Sequence, residues 1–175
     1  MGLLDLLSYI GEGLSADREE GPDPAAFETM VENAASDTVS AETLAGTNDR
    51  TKLPVAEYLE DDEQPQYMLR AGEVIAVDAE DNVARKYPGL ETVVVATDSR
   101  LLIVIGGHVA DDLMEIPYED VVDVEVEFER YRRYLVVGAN SDDERMTFSV
   151  DVTLEADEDA TLSLVESLQT GGPDS

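Results

Sequence analysis

The chain contains no cysteine and a single histidine, His108. Without cysteine there are no disulfides, thiolate metal sites or cysteine nucleophiles. His108 follows Gly106-Gly107, and no serine or cysteine stands in a motif around it, so neither a catalytic triad nor a histidine metal site is supported. Lysine is nearly missing, with Lys52 and Lys86 alone. Long apolar runs are missing too, since none reaches the roughly 18 residues of a spanning helix. The first ten residues are apolar but carry Asp5 and lack a basic flank, so they do not read as a signal peptide. Neither a glycine-rich phosphate loop nor a Gly-x-Ser-x-Gly elbow occurs. These absences point to a soluble, cytoplasmic, non-enzymatic protein with no cofactor and no resident metal.

What is abundant is negative charge. Acidic residues number 41 against 11 basic ones, a net of -30, and they are spread through every segment. Such self-repulsion destabilises a compact state in dilute buffer. At molar salt the Debye length is roughly 3 Å and most of the repulsion is screened. The composition therefore reads as that of a halophile's cytoplasm. It also repels nucleic-acid phosphate, so nucleic acid is excluded as a partner.

Periodicity divides the chain. Leu3, Leu7, Ile10 and Leu14 share a helical face. Residues 15–22 form an acidic linker. Asp23-Pro24 is a helix-start signal, followed by Phe27, Met30, Val31 and Ala34 at helical spacing to about Ala35. A second short helix runs from Ser40 to Gly46, and Pro54 opens a third carrying Val55, Tyr58 and Leu59. Residues 1–60 read as a helical appendage too small to be stable alone.

From Gln64 the period becomes two. Residues 67–69 and 73–77 read as strands, and 78–89 as a polar loop holding Arg85 and Lys86. Residues 91–97 and 100–105 form a hairpin whose apolar runs indicate burial on both faces. A short strand, 113–116, ends at Pro117. Val122, Val124, Val126 and Phe128 alternate with acidic residues, which predicts a half-buried strand. Arg130-Tyr-Arg-Arg133 reads as a turn, 134–137 as the return strand, 141–144 as a turn and 146–152 as the last strand. An amphipathic helix with Ala160, Leu164, Val165 and Leu168 inward follows, ending at Gly171-Gly-Pro. The expected fold is α+β. About seven antiparallel strands make a bent sandwich or partly open barrel over 61–170, capped by the C-terminal helix, with 171–175 a tail.

Gly72-Glu73-Val-Ile, Thr97-Asp98-Ser-Arg100-Leu-Leu-Ile and Ile116-Pro117-Tyr118-Glu-Asp120-Val-Val-Asp-Val124 stand in order along this pattern. Together they resemble the prokaryotic pleckstrin-homology (PH)-like domains, including the YokE-like group, here of haloarchaeal type. The resemblance covers about residues 57–170. It implies an interaction module without enzymatic activity, association with a protein partner or with itself as a homo-oligomer, and a route to peripheral membrane surfaces through loops between early strands.

The residues have a physical reading beside this one. Thr97, Asp98 and Arg100 form a structural hairpin turn, Asp98 accepting backbone N–H groups and Arg100 pairing with a neighbouring carboxylate. Pro117, Tyr118 and Asp120 serve the next corner. The densest basic cluster is Arg130, Arg132 and Arg133 around Tyr131, with Arg85 and Lys86 as a second basic point. Guanidinium groups so placed suit an anion or phospholipid headgroup, or else pair with Glu125, Glu127 and Glu129 on the neighbouring strand. Asp61-Asp62-Glu63 and Asp111-Asp112 lack the spacing of a cation loop and read as solvated surface.

Overall fold

The computed structural model describes residues 24–141 and 144–173. The predicted first helix and the acidic linker lie outside them. Two antiparallel sheets face one another. One has four strands in the order β1 (Pro65–Ala71), β4 (Thr92–Thr97), β5 (Arg100–Ile105) and β6 (Asp112–Pro117). The other has five, in the order β3 (Val83–Lys86), β2 (Val74–Val77), β9 (Glu144–Asp151), β8 (Arg132–Ser141) and β7 (Val121–Glu129). Three α-helices are described: α1 (Pro24–Glu32), α2 (Ala41–Leu44) and α3 (Glu158–Gln169). A 3-10 turn, Val55–Tyr58, completes the N-terminal layer. This is the expected α+β class, a bent two-sheet sandwich with a C-terminal helix.

The chain changes sheets between β1 and β2. Gly72 N–H donates to Asp151 O at 2.7 Å, Asp151 N–H donates to Glu73 O at 2.9 Å, and Thr92 Oγ1 donates to Gly72 O at 2.7 Å. Between the sheets lies the main core. Leu69, Val94, Ala96, Leu101, Ile103 and Ile105 meet Val74, Leu135, Val137, Phe148 and Val150, and α3 inserts Ala160, Leu164, Val165 and Leu168. α3 starts on Asp157, whose carboxylate accepts from Ala160 N–H, and acidic Glu158 and Asp159 suit the positive end of the helix dipole.

A second core covers the outer face of the four-stranded sheet. Met68, Val93, Val95 and Leu102 pack with Phe27, Val39, Leu44, Val55, Ala56 and Leu59. This explains the unbroken apolar runs of β4 and β5. Alternate residues face the opposite sheet and the intervening ones face the helical layer, so a period-two pattern cannot appear. α2 is capped by Ser40, whose hydroxyl accepts from Thr43 N–H, and Gly46 leaves it at φ 69°, a conformation that favours glycine.

The structure corrects three local expectations. Residues 78–89 are not all loop, because Val83–Lys86 is an edge strand. It buries one small residue, Ala84, which is too weak an apolar signal to read. The turn after β7 is two residues long, Arg130-Tyr131, so Arg132 and Arg133 belong to β8. Phe128 shares the parity of the buried Val124 yet is 65% exposed, because the β7–β8 hairpin runs out beyond the layer it packs on.

Candidate functional site

The β4–β5 turn is tied down from three sides. Thr97 Oγ1 accepts from Ser99 N–H (3.2 Å) and Arg100 N–H (3.1 Å), and donates to Glu63 Oε1 (2.7 Å). Arg100 forks onto Glu63, Nε to Oε1 and Nη2 to Oε2, both at 2.8 Å, and reaches Glu115 on β6 at 2.5 Å. Asp98 does not brace its own turn. It accepts from Gln64 N–H (3.2 Å) while its own N–H donates to Gln64 O (3.0 Å), tying the turn to the start of β1. Burial alone would raise the Glu63 carboxyl. The Arg100 hydrogen bonds, the Glu60 N–H, the Thr97 hydroxyl and the Arg100 charge outweigh it and hold Glu63 down to about 2.

A second buried carboxylate, Asp111, accepts from Lys52 N–H (2.7 Å), Leu53 N–H (2.8 Å), Gly107 N–H (3.0 Å) and Tyr58 Oη (2.7 Å). Burial and the Asp111 contact push the Tyr58 hydroxyl well above its ordinary range. Neither Glu63 nor Asp111 stands out in the sequence. Each sits in an acidic pair or run, and only the unmet need of Arg100 for a partner could have pointed to Glu63.

The basic residues are brought together in an unexpected way. Arg85 on β3 and Arg132 on β8 converge on one carboxylate, Glu73, which is 7% exposed. Arg85 Nη1 lies 3.6 Å from Oε2, and Arg132 Nη1 bonds Oε1. Arg132 also lies 3.2 Å from Tyr134 Oη and 3.6 Å from Asp151. Arg133 turns to the other face. It donates to Glu155 O at 2.6 Å and approaches Glu158 at 3.3 Å, bracing the entry to α3. Lys86 pairs with Asp112 at 2.7 Å. None of Arg85, Lys86, Arg132 and Arg133 pairs with Glu125, Glu127 or Glu129. Arg130 is exposed, and its side chain bonds to no described residue.

What remains unengaged is the free end of β7–β8. Tyr131 is 94% exposed beside Phe128 and Arg130. Arg130 adopts φ 55°, a left-handed conformation that costs a non-glycine residue roughly 1–2 kcal/mol. Elsewhere Glu60, Asp61, Asp62, Glu63, Asp98 and Ser99 line an open acidic depression of about 580 Å³. Among the described residues no group of three or more histidines and carboxylates is arranged to hold a metal ion, and no helix is long and apolar enough to cross a membrane.

No family model matches the chain, and no curated protein matches it. Among solved structures the pleckstrin homology (PH) domain of USP37 is similar, with a TM-score of 0.36 and 7% identity over 59% of this chain and 94% of that one. The two-sheet sandwich with its C-terminal helix is described from this chain's own strand order.

Proposed function

We propose that this chain is a non-enzymatic interaction module that meets a protein partner through the free end of the β7–β8 hairpin, in a high-salt cytoplasm. The observation that carries the reading is the exposure of Phe128 and Tyr131 at that end. Two large aromatic side chains stand in water next to an arginine whose side chain has no partner among the described residues. Aromatic residues and arginine supply most of the energy at protein interfaces, because they bury much area at small entropic cost. At molar salt long-range steering is screened, so recognition rests on contact of this kind.

A phospholipid-headgroup role through Arg130, Arg132 and Arg133 fits less well. Arg132 is engaged by Glu73, and Arg133 by the backbone ahead of α3. An anion would have to displace those partners, leaving Arg130 alone to offer a spare fork.

Cross-linking in molar KCl tests the reading. A specific partner, or a second copy, is recovered with the native chain and lost with Tyr131→Ser. Equal recovery from the two chains overturns it. Anionic vesicles that bind the native chain but not Arg130→Ser would favour the headgroup role instead.

A further inference from the structure

β7 is the last strand of its sheet, and its register settles which backbone groups are spare. The two-residue turn makes Glu129 and Arg132 a directly opposed, hydrogen-bonded pair. By alternation Glu127–Tyr134 and Glu125–Val136 share ladder bonds, while Val124, Val126 and Phe128 direct their N–H and C=O groups away from β8. The Gln169 side chain agrees with this parity, donating to Val124 O at 3.0 Å. Toward the tip, no described residue outside the ladder bonds the backbone of Val126 or Phe128.

The flanks of this edge are chemically distinct. On one face Asp123, Glu125, Glu127 and Glu129 form a row of exposed carboxylates at alternate positions, of which Asp123 pairs with Arg145 at 2.5 Å and the other three form no ion pair with a described residue. On the other lie Phe128 and the half-buried Val126. α3 runs alongside: Glu158 reaches Arg133, the cross-strand partner of Phe128, and Gln169 reaches Val124. Leu162 lies one turn from Glu158 on that same side of the helix and is 41% exposed.

We infer that the β7 edge takes an extended peptide as an added strand, and that this peptide alternates basic with apolar residues. The inference rests on the interaction reading above and names the partner's chemistry. An added strand places its outward side chains opposite the β7 carboxylates, where opposite charges attract and like charges repel. A second copy pairing through its own β7 would set Glu125, Glu127 and Glu129 against their own counterparts. The row therefore selects against self-pairing and for lysine or arginine. The inward side chains of the peptide meet Phe128 and Leu162.

The probe is the synthetic peptide Ac-Lys-Val-Lys-Val-Lys-Val-Lys-NH2, titrated into the isotopically labelled full chain at the lowest KCl concentration that keeps it folded. Amide shifts and slowed hydrogen exchange are expected at Val126 and Phe128. A peptide of the same composition with its lysines in one block keeps its backbone groups but loses the alternating charge pairs, and should bind at least about tenfold more weakly; one N-methylated at the amides facing β7 loses roughly one or two ladder bonds and should weaken to a similar degree. Replacing both Glu125 and Glu127 by Lys should transfer the preference to the glutamate counterpart of the peptide. Equal affinity for the alternating, blocked and N-methylated peptides reduces the effect to bulk charge and overturns the inference. So does a shift pattern that misses β7. If Tyr131→Ser abolishes partner recovery while no peptide perturbs β7, the edge is wrong and the interaction module stands. If the peptide binds β7 and Tyr131→Ser changes nothing, the tip reading falls instead.

Discussion

The hairpins β4–β5 and β7–β8 share a plan and differ in every surrounding. Each joins two antiparallel strands through a two-residue turn, Asp98-Ser99 in one and Arg130-Tyr131 in the other. The first is covered on both faces, by the opposite sheet and by the helical layer, and its turn is held by Glu63 and Gln64. The second loses its cover along its length and ends in an exposed aromatic pair. The two arginine systems differ in the same way. Arg100 is 13% exposed and forks onto a carboxylate that water scarcely reaches, whereas Arg132 is 54% exposed beside Glu73. Local hairpin geometry is thus neutral with respect to role. What lies on either side decides whether a turn is tied into the scaffold or left standing in solvent.

The contrast should break first at the arginines. Arg100→Ala strands the Glu63 charge in the interior and should cost about 3–5 kcal/mol, whereas Arg132→Ala removes an exposed guanidinium from a carboxylate that keeps Arg85 and Tyr134, and should cost far less. Urea unfolding in molar KCl measures both, and equal losses would erase the distinction. Next come the apolar positions. Leu102→Ala should destabilise by about 2–5 kcal/mol and Phe128→Ser by under about 0.5 kcal/mol.

Acid sharpens the same comparison. The Glu63 carboxyl is held at about 2 in the folded chain against an ordinary 4.5. A depressed folded value gives stability that is complete above about pH 4.5 and is lost as pH falls from there toward 2. Glu63→Gln should flatten the stability profile in that window, and a profile unchanged from the native chain would refute the account. The smallest effect belongs to the tip. Arg130→Gly relieves the left-handed backbone at φ 55° and should stabilise by up to about 1 kcal/mol, less what glycine adds to the freedom of the unfolded chain.

Much of this scaffold was legible beforehand. The hairpin at 91–105 announced its burial through runs of valine, leucine and isoleucine, and the C-terminal helix through its apolar stripe and acidic first turn. The partner of Arg100 was not legible, because Glu60, Asp61, Asp62 and Glu63 look alike until one of them is folded under the turn. The meeting of Arg85 with Arg132 at Glu73 was hidden for a similar reason. Glu73 lies where the chain changes sheets between β1 and β2, and Arg132 on β8 stands 59 residues away from it. Phe128 misled because alternation reports which face a residue occupies, and not whether anything lies opposite that face.

The Asp111 clamp has a consequence for synthesis. Its bonds to Lys52, Leu53 and Tyr58 span sequence separations of 59, 58 and 53 residues. A ribosome makes residues 24–60 before any strand they cover exists. Phe27, Leu44 and Val55 therefore leave the exit tunnel with no surface to bury against until Met68, Val93, Val95 and Leu102 have been made.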